Sequence, residues 1–193
     1  MKLIFTISLL ILLVFAGCDI FETREAETPD QSRSNYQTAS RPKTLIQNII
    51  ASFADKDVVN YKNSFETSFS NKLFQFMPSS TAISRFQNIW SAWNIDSEVQ
   101  YFNNMKTLVP DELPVTLSLS LSPESFSVLG DSVKYTSEYF LNVPQRDTDP
   151  LIFQGNLEFT MIRDSRSVWV IYFWKDNAIE DNPSWSDLKG SVY

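Results

Sequence analysis

The residues of this chain best suited to chemistry inside a folded domain are tyrosines and glutamates on predicted strands. They are Tyr135, Glu138, Tyr139, Glu158 and Tyr172. A buried carboxylate beside a tyrosine hydroxyl can act as a base or as part of a proton-donor pair, because burial raises the pKa of the carboxyl group. Both glutamates, however, fall at polar positions of the strand alternation, which favours solvated side chains. We therefore interpret the five residues as candidate cavity-lining residues and assign no catalytic residue.

Several kinds of site are excluded by the residue types present. The 193 residues include no histidine, which excludes histidine acid–base catalysis, Ser-His-Asp and Cys-His nucleophiles, and histidine metal sites. A single cysteine excludes an intramolecular disulfide and a cysteine-rich zinc site. Asp176, Glu180 and Asp181 lack the ligand spacing of a calcium loop, so we expect neither a metal nor a cofactor. The net charge of −7 argues against a nucleic-acid partner, which requires a basic surface.

The first eighteen residues, MKLIFTISLLILLVFAGC, have the form of a secretory signal. Lys2 supplies the positive region, residues 3–16 supply the apolar region, and small residues precede Cys18. The sequence FAGC resembles the lipobox of bacterial lipoproteins. That resemblance implies cleavage after Gly17, a diacylglyceryl thioether on Cys18, and acylation of the new amino terminus, for example with palmitate. The alternative is an uncleaved transmembrane helix, for which the apolar run is short.

The anchor determines the expected location and the domain organisation. Two or three acyl chains hold a protein stably at a membrane, so we expect a lipid-anchored protein of the bacterial cell envelope that faces an extracytoplasmic compartment. The sequence does not choose between inner and outer membrane. We assign residues 1–17 to the signal peptide and residues 18–39 to the lipidated cysteine and a polar, disordered tether. Residues 40–193 are assigned to a single domain, for which 43% hydrophobic and 14% aromatic residues supply a core.

The first half of this domain is predicted to be helical. Helix starts are indicated at Ser40, at Asp57, at Ser79 or Ser80, and at Asp96. Apolar residues recur at helical spacing after each start, and in the third and fourth segments several of them are aromatic. Such aromatic stripes are typical of core packing, so we assign them to the core instead of to a binding cleft.

The second half is predicted to be a sheet, because the apolar residues alternate from Leu113 onward. The longest elements form a hairpin over residues 151–175. Its return strand, Val168–Trp174, is apolar on both faces, which is typical of a central strand. Simple alternation places Tyr172 and Trp174 on the same face. We expect one face to meet helices and the other to line a cavity, meet a partner or curl onto the sheet itself.

Three stretches of the domain resemble the nuclear transport factor 2-like superfamily, also called ketosteroid isomerase-like or cystatin-like. They are FADKDVVNYKNSF, LFQFMP and the ending VWVIYFWKDNAIEDNPSWSDLK. In the last stretch Ser184 and Asp187 form a capping-box pattern for a final helical turn. The resemblance covers about residues 40–189 and implies an α+β fold, with N-terminal helices packed on a curved antiparallel sheet in a cone-like roll. Enzymes of the family place Asp, Tyr or His inside the cone, but no catalytic signature transfers to this chain.

These observations leave three hypotheses for function. The first is a non-catalytic, membrane-tethered lipoprotein that binds a small apolar ligand or a protein partner. The second is an isomerase or dehydratase type of enzyme that uses a tyrosine–glutamate pair in the cone. The third is a structural subunit of a cell-envelope assembly. A polar, filled cone with an exposed apolar patch on the sheet would favour this third hypothesis over ligand binding.

Overall fold

In the computed structural model, which describes residues 35–193, helices come first and most strands follow. The helices are α1 (Pro42–Ala54), α2 (Val58–Asn63), α3 (Ser80–Arg85), α4 (Ile95–Leu108) and α5 (Trp185–Val192). The strands are β1 (Gln75–Met77), β2 (Thr116–Leu119), β3 (Phe126–Leu129), β4 (Ser132–Val143), β5 (Leu151–Arg163) and β6 (Trp169–Ala178). Short 3₁₀ turns at Trp90–Ala92 and Pro123–Ser125 complete the described elements.

The six strands form one sheet in the order β1-β6-β5-β4-β2, and β3 also pairs with β4. All pairings are antiparallel except that of β1 with β6, which is parallel. The helices pack on the inner face of this curved sheet, and the space between the two layers is the cone. The predicted α+β class is therefore confirmed, with helices packed on a curved antiparallel sheet.

Strand β6 lies inside the sheet, as its apolar character on both faces predicts. Its C-terminal part pairs with β1 on one side and with β5 on the other. Its N-terminal part is flanked by the segment after α2, where Ile171 accepts a hydrogen bond from the Glu66 amide and donates one to the Ser64 carbonyl. The central position follows from this pairing on both edges.

A β-bulge corrects the predicted facing of β6. Thr160 pairs with Phe173 and Met161 pairs with Ile171, so Tyr172 is the extra residue between the two pairs. A bulge of this kind breaks the two-residue alternation. The prediction that Tyr172 and Trp174 share a face is therefore wrong: Trp174 is fully buried, whereas Tyr172 is partly exposed.

The caps of the helices agree with the sequence at some ends and differ at others. Asp57 caps α2 through the Val59 and Asn60 amides, and Ser79 caps α3. Helix α4 begins at Ile95, one residue before the predicted start at Asp96, because Asn94 is its N-cap and forms a capping box with Ser97. For α1 the N-cap is Arg41, not Ser40, because Pro42 takes the first helical position.

The described chain begins before the predicted domain boundary at residue 40. Asn48 donates to the Gln37 carbonyl and accepts from the Gln37 amide, at 2.6 and 3.0 Å. The Ala39 carbonyl accepts from the Trp169 amide at 2.9 Å, and Ala39 is buried. These contacts attach residues 37–39, predicted as tether, to α1 and β6.

The predicted signal peptide, Gly17, the lipidation site Cys18 and most of the tether lie outside the described residues. Within residues 35–193, no helix is long and apolar enough to cross a membrane.

Candidate functional site

The polar centre of the molecule lies in the cone, where the inner sheet face meets α4 and α5. Three ionisable side chains meet there: Glu98 from α4, Asp176 from β6 and Lys189 from α5. Each is at most 1% exposed. Because burying a charge is costly unless the charge is paired and hydrogen-bonded, the partners of these groups determine what the site can do.

The Glu98 carboxylate is satisfied by three donors. Lys189 Nζ lies 2.5 Å from Oε1, the indole nitrogen of Trp93 donates to Oε1 at 2.6 Å, and the Tyr61 hydroxyl donates to Oε2 at 2.7 Å. Burial and the Glu98 charge together raise the pKa of Tyr61 well above its usual value, so that hydroxyl stays protonated as a donor. This hydrogen bonding suits an ionised carboxylate paired with an ammonium.

Aromatic rings surround the other sides of the Lys189 ammonium. Nζ lies 3.4 Å from the ring centroid of Trp174 and 3.6 Å from that of Phe76, and it lies 5.4 and 5.6 Å from those of Trp93 and Tyr101. These distances are within the range of cation–π attraction. Burial lowers the pKa of Lys189 to about 8, while the charge of Glu98 opposes that shift.

Asp176 forms a second polar group in the same interior. The Tyr139 hydroxyl donates to Oδ1 at 2.8 Å, and the amide and hydroxyl of Ser186 donate to Oδ2 at 2.7 and 2.5 Å. Burial raises the pKa of Asp176, and the hydrogen bonds from Ser186 and Tyr139 oppose the rise. Burial and the neighbouring Asp176 also raise the pKa of Tyr139. Tyr139 and Asp176 together have the composition of an acid–base site. The Trp185 amide, however, donates to the Tyr139 oxygen at 2.6 Å, so this oxygen is already hydrogen-bonded within the chain.

Helix α5 is oriented by its N-terminal capping box. Asp187 Oδ2 accepts from the Ser184 amide at 2.8 Å, and Asp187 Oδ1 pairs with Arg85 of α3 at 2.8 Å. Residues three and four apart share one helix face, so Trp185, Leu188 and Lys189 all point into the cone. All three are 0% exposed.

The bulk of α5 occupies the upper part of the cone. The Trp185 ring makes edge contacts with Phe53, Tyr139 and Trp174 at centroid distances of 5.2, 5.5 and 4.7 Å. Its indole nitrogen donates to the Tyr101 hydroxyl at 2.8 Å. The interior at this point is filled by side chains of the chain itself.

Gly155 on β5 makes room for the Tyr139 hydroxyl. A Cβ at this position would lie 2.4 Å from that hydroxyl oxygen and 2.5 Å from the Asn177 carbonyl. Neither atom can retreat freely, because the hydroxyl is held by Asp176 and the carbonyl belongs to the paired strand β6. The glycine is therefore required by this close approach of a side chain.

The structure brings only one of the five predicted cavity residues to a carboxylate. Tyr139 meets Asp176 in the cone, as described above. Tyr135 is also buried, but its hydroxyl donates to the Ser120 carbonyl at 2.7 Å, and burial raises its pKa to about 12.

The other predicted residues lie away from the cone interior. Glu138 is exposed, and Glu158 forms an ion pair of 2.9 Å with Lys134 on the outer sheet face. Tyr172 lies at the bulge, with Lys72 Nζ 5.7 Å from its ring centroid. The two glutamates line a shallow outer groove of about 280 Å³.

Sequence reasoning missed Glu98, Asp176 and Lys189. A signal existed for Glu98, because it begins the buried series with Tyr101, Phe102 and Met105 at helical spacing. A charged residue on such a stripe requires a buried partner. Asp176 was placed in a polar segment after the hairpin, whereas β6 continues to Ala178. Among residues 35–193, no group of histidine, cysteine or acidic side chains is arranged to hold a metal ion.

Fold and site thus define a class of protein: a cone-shaped α+β domain whose cone is filled by its own C-terminal helix α5. No protein-family model matches the chain, and no curated protein sequence matches it. Among solved structures, it is similar to a conserved protein from Planctomyces limnophilus, at 9% identity and a TM-score of 0.54 over 71% of this chain and 92% of that one.

Two further solved structures match this chain over a similar part of its length. A candidate dehydratase of the nuclear transport factor 2-like family from Streptomyces avermitilis has 8% identity and a TM-score of 0.51, over 70% of this chain and 91% of that one. A protein of unknown function from Mycobacterium tuberculosis has 11% identity and a TM-score of 0.51, over 72% and 74%. At such identities the likeness concerns the fold alone: this chain has the nuclear transport factor 2-like fold.

Proposed function

We propose that the chain is a non-catalytic, lipid-anchored envelope protein that binds a protein partner through its outer surface. The observation that supports this proposal is the occupation of the cone by α5. A small apolar ligand inside the cone would need the space that the buried side chains of Trp185, Leu188 and Lys189 fill here. The small-ligand form of the first hypothesis is therefore the less favoured one.

An outer groove offers an apolar surface for such a partner. It has a volume of about 530 Å³ and lies between residues 70–72 and the β3–β4 turn. Val128 is 78% exposed, and the neighbouring Leu129 is 50% exposed. Exposed apolar side chains beside charged ones such as Lys72 and Arg163 are typical of protein interfaces. We name this surface the Val128 groove; its lining includes Lys72, Val128, Asp131, Ile162, Arg163 and Trp169.

Site-specific photocrosslinking in the native envelope tests the partner. A photoreactive residue at Val128 should give a discrete protein adduct that Lys72→Glu in the groove lining abolishes, whereas the same residue at exposed Glu138 on the outer sheet face should give none. The proposal fails if native mass spectrometry of the purified chain finds a small apolar mass that is lost on unfolding. Absence of a discrete adduct from Val128, or the same adduct from both Val128 and Glu138, would contradict it equally.

The anchor is tested separately. We propose cleavage after Gly17 and acylation of Cys18, supported by the signal and lipobox pattern of residues 1–18. Metabolic labelling with an alkyne fatty acid should mark the chain, and Cys18→Ser should abolish the label and leave the precursor uncleaved. A labelled Cys18→Ser chain, or an unlabelled wild type, would refute acylation at this residue.

The second candidate function is an isomerase or dehydratase type of enzyme. One observation favours it: Tyr139 and Asp176 form a buried tyrosine–carboxylate pair, and the pKa of Asp176 is raised by burial. Such chemistry would require α5 to leave the cone, because Ser186 and Trp185 occupy the hydrogen-bonding positions of the pair. Deuterium exchange at the α-carbon of a simple cyclic ketone, present with the wild type and absent with Asp176→Asn, would support it.

A further inference from the structure

Lys189 has the surroundings of a bound ammonium ligand. We call these surroundings the ammonium cage, which consists of Phe76, Trp93, Glu98, Tyr101 and Trp174. The two nearest ring centroids lie within 3.6 Å of Nζ, and the carboxylate lies on a further side at hydrogen-bond distance. Aromatic faces combined with an anionic group form the arrangement by which proteins recognise organic ammonium ions.

The carboxylate of the cage is held in place without help from Lys189. Tyr61 and Trp93 donate to its two oxygens, at 2.7 and 2.6 Å. Tyr61 is itself fixed by stacking on Phe102 at a centroid distance of 4.3 Å. The carboxylate therefore stays oriented toward the ammonium position when that position is empty.

The orientation of Trp174 places its ring face against the cation, but it leaves the indole N–H without a hydrogen bond to any described residue. Its Nε1–H is buried and has no hydrogen-bond partner among the residues that the structure describes. Leaving a buried donor unpaired is costly, and edge contacts with Phe76, Phe159 and Trp185 hold the ring in this orientation. The ring face thus meets the ammonium at the expense of its own hydrogen bond.

We propose that the cone contains a binding site for primary alkylammonium ions and that α5 occupies this site in cis with the side chain of Lys189. The site goes beyond the proposed function, which concerns the outer surface. The apolar stem of the lysine corresponds to the alkyl chain of the ligand, and Glu98 supplies the counter-charge. An external alkylammonium binds when the lysine side chain is absent from the cage.

Chemical rescue of Lys189→Ala tests this proposal in the full chain. The substitution removes the stem and the ammonium, and propylammonium chloride then serves as the probe. At a fixed urea concentration near the unfolding midpoint, the ratio of folded to unfolded chain should rise roughly tenfold when the amine is at about ten times its dissociation constant. Equal concentrations of 1-propanol, or of potassium chloride, should leave the ratio nearly unchanged.

Two further variants separate the cage from general effects of the amine. Lys134→Ala removes a partly exposed lysine that is also paired with a glutamate, and it should show no rescue. Glu98→Gln/Lys189→Ala lacks the carboxylate, so the amine should stabilise it no more than propanol does. Equal rescue by amine and propanol in Lys189→Ala, or full amine rescue without the Glu98 carboxylate, would overturn the proposal.

The test remains decisive if Lys189→Ala does not fold in buffer. A ligand that binds only the folded chain shifts the equilibrium toward it, so near-ultraviolet circular dichroism should recover its native signal as propylammonium is added. No recovery with the amine would refute the proposal.

Discussion

Replacing Glu98 by glutamine should destabilise the folded chain by about 3–5 kcal/mol, because the Lys189 ammonium then remains buried without a counter-ion. The lysine can also be buried as a neutral amine, and this alternative bounds the total cost of burying its side chain. Relative to the unfolded chain, where its pKa is 10.5, a neutral Lys189 costs about 1.4 kcal/mol for each unit down to pH 7, or about 5 kcal/mol altogether. Lys189→Met should cost somewhat less, because Glu98 keeps the donors Tyr61 and Trp93.

The assay is urea unfolding of the wild type, the two single variants and the double variant Glu98→Gln/Lys189→Met. Two groups in direct contact should show a coupling energy, and we expect the double variant to be at least about 2 kcal/mol more stable than the sum of the single effects predicts. The exposed pair Lys134–Glu158 is the matched control, where the same cycle should give at most about 1 kcal/mol. Additivity at Glu98 and Lys189, or a cost below about 1 kcal/mol for Glu98→Gln, would refute the buried pair.

Three further outcomes follow from the structure. Burial lowers the pKa of Lys189 to about 8 in the folded chain, whereas the unfolded chain keeps this proton up to a pKa of 10.5. Between these two pH values the wild type should therefore gain stability relative to Lys189→Met, by up to about 1.4 kcal/mol per pH unit. Urea midpoints of the two chains that run in parallel across this range would contradict the shift. Gly155→Ala places a Cβ 2.4 Å from the Tyr139 hydroxyl and should cost about 1–3 kcal/mol by thermal unfolding; an unchanged melting temperature would mean that the tyrosine can move. Asp57→Ala removes the side-chain cap of α2 and should cost about 1 kcal/mol, whereas Asp57→Asn, which retains an acceptor, should cost less; equal losses would assign the effect to charge.

Local patterns were sufficient for much of the fold. The return strand Val168–Trp174, apolar on both faces, predicted a central β6, because this signal lies within a few residues of sequence. The patterns likewise predicted the caps at Asp57 and at the Ser184–Asp187 box, and they named Ser79 as one of two alternatives, since a cap is formed with amides two or three positions away.

The features that local patterns missed depend on distant contacts. The bulge at Tyr172 arises from the pairing of β6 with β5, and nothing in the run VWVIYFWK marks the extra residue. The Glu98–Lys189 pair joins residues 91 positions apart. Tyr139 was selected as a cavity residue, but its carboxylate partner proved to be Asp176, which the sequence pattern placed beyond the strand.

The position of Lys189 in the chain also affects when the domain can fold. Its partner Glu98 is made 91 residues earlier. Until α5 emerges, Glu98 lacks the charge of Lys189, and Asp176 lacks the hydrogen bonds from Ser186. A nascent chain can form its helices and hairpins, but it cannot complete the aromatic core before residue 189 has left the ribosome. Contacts of such long sequence separation form slowly. The core of this domain can therefore close only after α5 has been made, so the buried polar groups of the preceding residues stay incompletely paired during that interval.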